Sequence, residues 1–557
     1  MIKTEKSIFA VALMLVLSLL LSVAGSNLAY ASEDNDKNND TVIFGIADSI
    51  PGLFNPLVAT KTTDQDINQV VFPSLLEMDN EGNLQPYLAE SYEVNDLTYT
   101  FHLRKNAKWH DGVDLTAADV AFTFDCIMQP NFTGTSYKKL SSIVGAADRH
   151  DGKADTVTGI KVVDDYTIEF TLEKAYAPTF AAIVSRGIVP EHIWKDIPVE
   201  EFENQVDLLH APIGCGPFKM TEYAEGQYVK LEAFDDFFLG VPKIKHLVIK
   251  IVSTDSIPAE FKNGTLDIVT VKDLENAELE LLTQDLELDV VRFPNNIYRY
   301  IGINLRQEIF QDKALREALL YAIDREGIVE SLLEGNGSVI EAPFLPAGWA
   351  KPDDSQLVKR SYDPEKAKSI LAEAGYTDKD GNGILESPDG TELSFVYKIP
   401  SDNPITEHVA LVVQQNWKEI GVDVSLQQME YGKLAQEAIF DHDFDFYTLN
   451  CQFGFDPDLM SWWHSSSATD EKGKPSWNFD GYKNPELDKV IDASNASLEQ
   501  EERQKLFNEC AKIISTDVPM IFLYVQDNAY AYPNNLQGFA PYTFNVFYNV
   551  YNWQYVD

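Results

Sequence analysis

The sequence predicts an α/β protein of about two or three domains. Three observations carry this. The chain has 557 residues, 45% of them hydrophobic, which is more than one core absorbs. Residues 97–103 alternate Leu97, Tyr99, Phe101 and Leu103 with Thr98, Thr100 and His102, the period of a half-buried strand. In the second half, a helical stretch at 407–420 is closed by Gly421 and runs directly into the strand-like 422–427, the layering of an α/β unit.

Along the chain, the first element is an address. Lys3 and Lys6 precede an apolar run at 8–24, and Ala29-Tyr30-Ala31 supplies a small-x-small cleavage pattern, so 1–31 is expected to be a secretory signal peptide. The rival, an uncleaved anchor, needs about 20 apolar residues, slightly more than the run offers. Leu21-Ser22-Val23-Ala24-Gly25-Ser26 has the form of a lipoprotein box, but Ser26 replaces the lipid-accepting cysteine and cannot carry that anchor. Residues 32–40 are polar and charged, a disordered leader before a first strand at Thr41. Further strands are expected at 167–172, 228–234 and 247–252.

Helices gather in the second half. Residues 312–334 place Leu315, Ala318, Leu319, Ala322, Ile323, Val329 and Leu332 on one face, predicting a single amphipathic helix. Residues 363–375 open with Asp363 as cap and Pro364 in the first turn, and stop at Gly375. There is no repeat and no long Gly/Ser linker, so short crossovers must join the domains.

Composition excludes several function classes. A net charge of −44 repels phosphate backbones and anionic membranes, so no nucleic-acid partner is expected. Cys126, Cys215, Cys451 and Cys510 contain no C-x-x-C pair; they read as core residues with one optional disulfide. No G-x-S-x-G elbow, phosphate loop or H-E-x-x-H helix occurs. Gly214-Cys215-Gly216-Pro217 fails as a phosphate cradle because Pro217 lacks an N–H. Asp456 and Asp458 form a carboxylate pair, but in a chain with 88 acidic residues such pairs arise by chance, so a two-carboxylate glycosidase is a weak alternative.

One segment has metal-ligand spacing. Asp378, Asp380, Asn382, Glu386 and Asp389 offer oxygens at loop positions 1, 3, 5, 9 and 12, with Gly383 at 6 and the Ile384 carbonyl at 7, as in a calcium loop. Against this, position 12 is the shorter Asp, and a strand rather than a helix is expected to follow. A polar turn explains the same residues, so structural calcium and turn both stand. No other cofactor is required.

The stretch Leu88-Ala89-Glu90-Ser91-Tyr92-Glu93, followed by 97–112 with Lys108-Trp109-His110-Asp111-Gly112 and by Leu115-Thr116-Ala117-Ala118-Asp119-Val120, resembles the signature of family 5 extracellular solute-binding proteins. These are the oligopeptide, dipeptide and nickel-binding components of ABC importers. Gly214-Cys215-Gly216-Pro217-Phe218, Phe310-Gln311-Asp312, Ala322-Ile323-Asp324-Arg325-Glu326, Tyr362-Asp363-Pro364-Glu365-Lys366-Ala367, Phe479-Asp480-Gly481-Tyr482 and Pro519-Met520-Ile521-Phe522-Leu523-Tyr524 continue the likeness in order. The 378–386 segment and Pro533-Asn534-Asn535-Leu536-Gln537-Gly538 resemble the Gram-positive type of oligopeptide-binding protein.

The resemblance implies a periplasmic-binding-protein fold (type II, cluster C) of two hinged lobes with an inserted extra domain. The first lobe would comprise 41–73, 203–293 and 525–557, the insertion 74–202 and the second lobe 294–524. It implies an extracytoplasmic, monomeric receptor without enzymatic activity that encloses an oligopeptide and delivers it to membrane permease subunits. Edges at 48–54, with Asp48, Ser49 and Phe54, and at 450–453, with Asn450, Cys451, Gln452 and Phe453, would pair with the peptide backbone. Phe453 stands where peptide-binding relatives present an aspartate to the ligand's amino group, which puts strict free-amine recognition in doubt. Phe455 lies on the same loop; Asp456 or Asp458 are substitutes, with Asp458 better placed as a helix cap. Trp462, Trp463, His464, Tyr298 and Tyr431 are further cleft candidates, with ordinary core packing as their alternative for the Trp pair; His464 as a nickel or haem ligand lacks a partner. An oligosaccharide receptor, a surface adhesin or chaperone, and a secreted hydrolase are the competing readings. The acidic surface is expected in a saline habitat, where salt screens self-repulsion.

Overall fold

The protein is described here by a computed structural model covering residues 39–134, 136–401, 403–474 and 477–556. The expected signal peptide at 1–31 and most of the leader lie outside the described residues. Among those described, no helix is long and apolar enough to cross a membrane.

A mixed sheet runs through the molecule in the order Asp423–Met429, Ser394–Pro400, Phe446–Tyr447, Leu288–Ile303, Met520–Pro533, Ile268–Thr270, Thr41–Ile46, His246–Ile251, Tyr228–Ala233, Phe218–Ala224. Its two longest strands, Leu288–Ile303 and Met520–Pro533, pair antiparallel in the middle and pass from one half to the other. Their register breaks between Pro294 and Tyr298, where proline has no N–H to donate and the Asn295 amide instead donates to Asn528 Oδ1 at 3.0 Å. One apolar cluster draws only on residues from Tyr298 to Val525; a second joins Val42 through Ile268 to Leu536 through Trp553. These two main cores, bridged by the two long strands, make a pair of lobes, and a smaller third cluster gathers Val252 through Leu282 with Ala529 and Ala531.

Within the first half, Ala89–Asn95, Thr98–Leu103, Thr167–Thr171 and Ile160–Asp164 form their own four-stranded sheet, and Leu76–Met78 pairs with Leu84–Pro86. The alternation expected at 97–103 is realised: Tyr99, Phe101 and Leu103 are buried while Thr98, Thr100 and His102 are partly exposed. In the second lobe, Pro404–Glu419 is capped by Asn403, ends before Gly421 at φ +83°, and leads to Asp423–Met429, which lies parallel to Ser394–Pro400. Asp363 caps Pro364–Glu373 as expected, and Gly375 has φ +91°.

Two expectations are corrected. The single helix over 312–334 is two, Lys313–Tyr321 and Arg325–Leu332. The break exists because Asp324 caps the second helix through Gly327 N at 2.8 Å while the buried Arg325 guanidinium reaches the carbonyls of Ile340, Phe522 and Arg360 and the carboxylate of Glu341. The optional disulfide is not formed: all four cysteines are free and buried.

Asp480, within Phe479-Asp480-Gly481-Tyr482, is 4% exposed. Burial pushes its carboxyl up to about 7, against the opposing pull of the Tyr447 hydroxyl, the Ile303 N–H and Arg306. The native state thus keeps a proton that the unfolded chain releases, and stability falls as pH rises from the ordinary aspartate range to about 7. Asp480→Asn removes this titration. Whatever constant cost the amide carries, the stability of the variant relative to wild type is expected to grow between about pH 4 and pH 8 by roughly 2–4 kcal/mol, read from urea melts across that range. A pH-independent difference would show that Asp480 is ionised in the native protein.

Candidate functional site

Between the lobes lies a cavity of about 760 Å³. The first lobe contributes Pro56 to Thr60 and, from helix Thr62–Val71 and its end, Gln65, Asn68, Gln69 and Phe72; the two-stranded pair of Leu76–Met78 and Leu84–Pro86 contributes Leu76, Glu77, Met78 and Leu84. Arg186 and Ser136 come from loops of the first half, Gln452, Phe455 and Trp477 from the second lobe, and Tyr542, Phe544 and Asn545 from the C-terminal segment. A site of this size, walled by apolar and aromatic groups with a few polar ones, suits a small organic solute.

Local hydrogen bonds set each wall. Asp64 accepts from Gly52 N at 3.2 Å and Leu53 N at 2.9 Å, holding the turn that leads into Pro56. Arg186 donates from Nη1 to Pro56 O at 3.0 Å and from Nη2 to Ser136 Oγ at 2.6 Å, tying two walls together. Tyr542 Oη donates to Met78 O at 2.8 Å, which seats the C-terminal segment on the hairpin. On the second-lobe side, Trp349 Nε1 donates to Phe455 O at 3.1 Å, and Phe453 N donates to Asn296 O at 2.7 Å. The lobes touch beside the cavity, where Lys138 Nζ donates to Ser461 Oγ at 3.4 Å. Burial pushes the Glu77 carboxyl up to about 7 and pulls the Arg186 guanidinium down.

The residues singled out in the sequence are distributed unevenly. Gln452 and Phe455 line the large cavity. Tyr298, Cys451, Gln452, Phe453, Asp456, Trp462 and Trp463 surround a smaller one of about 120 Å³ beside Lys139. Most of these are core groups first. Tyr298 is buried among Tyr300, Phe453 and Phe522, and burial pushes the Cys451 thiol up to about 12. The Trp pair divides: Trp463 is buried against Phe522 and Tyr482, while Trp462 packs on Trp477 and Phe479. Asn450 is exposed on Asn450–Gln452, which pairs with Leu288–Ile303.

Several expectations do not hold geometrically. Residues 48–54 are not a sheet edge, because the chain leaves the sheet after Ile46 and is held by Asp64 instead of a strand ladder. Asp48 and Ser49 are exposed, and Phe54 is a core residue set edge-on to Tyr223. Asp456 is paired with Arg503 at 2.5 and 2.8 Å, so it has no free charge to offer a ligand; Asp458 caps Leu459–Trp463 through Ser461 N. His464 caps a short turn through Ser466 N and lies 3.7 Å from Asp492, outside both cavities. Tyr431 is exposed and lines neither.

In the 378–389 segment, Asp378 accepts from Gly381 N and Gly383 N, Asp380 from Asn382 N, Asn382 from Ile384 N, Glu386 from Lys379 N, and Asp389 from Thr391 N. These oxygens serve the turn itself, and among the described residues no grouping of three or more His, Cys, Asp or Glu is placed to hold a metal ion.

Glu77, Arg186, Trp477 and Tyr542 escaped sequence reasoning. Each stands singly on a short strand or loop, without periodicity, and only the tertiary fold brings them to one cavity.

The profile of the bacterial extracellular solute-binding proteins, family 5 Middle, matches residues 83–473. The oligopeptide-binding protein AppA of Bacillus subtilis is 32% identical, with 99% of each chain covered. Its structure in complex with a nonapeptide superposes with a TM-score of 0.73 at 31% identity, covering 93% of this chain and 99% of that one. The heme-binding protein A of Haemophilus influenzae is 27% identical over 98% of this chain and 99% of its own. NikZ of Campylobacter jejuni, solved with Ni(L-His), superposes with a TM-score of 0.74 at 26% identity, covering 93% and 100%.

Proposed function

The chain belongs to the bacterial extracellular solute-binding proteins of family 5, and from that premise we propose that it is the substrate-binding component of an ABC importer, enclosing oligopeptides between its lobes and presenting them to a membrane permease. The observation that carries this reading is the interlobe cavity of about 760 Å³, built from both lobes, the inserted domain and the C-terminal segment. Two crossover strands interrupted at Pro294 are the natural place for the lobes to open, and closure would then report occupancy to the permease. Likeness to a nonapeptide-binding structure over nearly the whole chain supports a peptide as the solute. The protein works outside the cytoplasm, exported by its N-terminal segment, and performs no covalent chemistry on its cargo.

Native mass spectrometry of protein purified gently from its own cells tests the reading. A ladder of released, intact peptides is the expected result. A released sugar or metal complex would replace the peptide assignment, shortened peptides appearing on incubation would indicate a hydrolase, and an empty cleft would favour an adhesin or chaperone.

A further inference from the structure

This inference rests on the peptide-receptor reading and adds the chemistry of one subsite. The loop that in peptide-binding relatives is expected to supply a carboxylate has none free: Phe453 is apolar, Asp456 is held by Arg503, and Asp458 starts its helix. The acidic side chains on the large cavity are Glu77 and Glu203, and Glu203 is exposed. Glu77 is half-buried on Leu76–Met78, and its one hydrogen-bond contact among the described residues is a long one, 3.5 Å from Asn545 Nδ2. Its charge reaches Tyr87, Tyr542, Tyr548 and Tyr551, of which Tyr87 and Tyr542 also line the cavity. The other charged groups nearby are Asp79, which acts on Tyr542 and Tyr548, and Arg104, which acts on Tyr551; Arg186 lies on the same cavity but is engaged by Pro56 and Ser136.

We propose that Glu77 is the seat for a positively charged group of the bound solute, an ammonium or guanidinium, taken up by the carboxylate among the phenol rings of Tyr87 and Tyr542. A carboxylate drawn into a cavity without a cation is costly to ionise, and a ligand cation supplies the missing partner. Aromatic walls add attraction for the same charge. Burial pushes the empty Glu77 up to about 7, so an arriving cation must drive off a proton below that pH. Affinity for a cationic ligand therefore rises with pH, by about tenfold between pH 6 and pH 8.

The test is isothermal titration calorimetry of the full exported chain with four synthetic heptapeptides of one sequence, with a free or acetylated amino terminus and lysine or norleucine at the centre. Peptides carrying one cation are expected to bind at least about tenfold more tightly than the acetylated norleucine peptide, and Glu77→Gln is expected to erase that preference, read as the ratio of cationic to neutral affinity within the variant. Which cation gains, terminal or side-chain, identifies the source. The acetylated lysine peptide, whose charge is constant across the range, should also show the pH 6 to pH 8 rise in wild type, a reading that needs no variant. A preference that survives in Glu77→Gln, or no preference in wild type, overturns this inference alone. Failure of all four peptides to bind wild type overturns the peptide reading and this subsite with it.

Discussion

Gly216→Ala is expected to lower the unfolding free energy by about 3–5 kcal/mol, and Gly214→Ala by a similar amount. A Cβ at Gly216 would stand 2.0 Å from the Val70 carbonyl oxygen, and one at Gly214 2.0 Å from that of Val71. Both obstacles are backbone, so no rotamer change relieves them. The close approach has a purpose: Cys215 N and Gly216 N donate to Val71 O at 3.1 and 3.0 Å, satisfying a carbonyl that the end of helix Thr62–Val71 leaves without an intrahelical partner. His110 clamps the other side, accepting from Gly214 N at Nδ1 (3.2 Å) and donating from Nε2 to Gly216 O (3.1 Å). Burial pushes His110 down to about 4, so the neutral ring serves both bonds with one tautomer. Since Asn68, Gln69 and Phe72 from this helix end line the large cavity, ligand affinity should fall with stability. Urea unfolding checks the first claim, with Gly226→Ala as reference: that glycine has φ +68° and open space around it, so it should cost only about 1–2 kcal/mol. Equal losses at 216 and 226 would mean that the close approach to Val70 and Val71 is not needed.

The same loop marks where the sequence stops being legible. Gly214-Cys215-Gly216-Pro217 could be rejected as a phosphate cradle from one local fact, the missing proline N–H, but its true partner lies more than a hundred residues earlier along the chain at His110 and at the Val71 carbonyl. Local signals carried well. Asp363, Gly375 and Gly421 mark helix ends where the structure has them, because capping and left-handed turns depend on a few adjacent residues. The alternation around Tyr99 and Phe101 carried for the same reason. The break at Asp324 was invisible, since the face through Val329 and Leu332 keeps helical spacing and the break depends on what Arg325 finds at Ile340, Arg360 and Phe522. The cleft suffered most. Gln452 and Phe455 were reachable through the second-lobe loop, whereas Glu77, Arg186 and Trp477 have no neighbours in sequence that mark them. Asp48, Ser49 and Phe54 lie off any sheet edge because the preceding strand ends at Ile46 and a side chain, Asp64, takes over the role of a ladder.

Arg503→Met is expected to destabilise the second lobe by about 3–5 kcal/mol, because it strands a buried carboxylate. The pair is nearly out of solvent, with side-chain exposures of 6% for Arg503 and 11% for Asp456. The guanidinium also donates from Nε to Ser494 O at 3.1 Å and sits 5.2 Å from the Trp349 ring and 5.1 Å from that of Phe507. Asp456→Asn keeps the shape but turns two charge-assisted bonds into weaker ones, for a loss of about 1–3 kcal/mol. The double variant Asp456→Asn/Arg503→Met should be more stable than Arg503→Met alone, since the stranded charge is gone; a double-mutant cycle by urea melts reads this coupling. The same variants separate two roles for Asp456. If it anchored a ligand ammonium, Asp456→Asn would weaken free-amine peptides selectively and leave acetylated ones untouched. A loop brace acts differently: because the next residue back, Phe455, and Gln452 line the cavity, loosening the brace should weaken both kinds of peptide to the same extent. Equal losses for both peptides are therefore the expected result, and a selective loss would return to Asp456 the recognition role that its contact with Arg503 denies it.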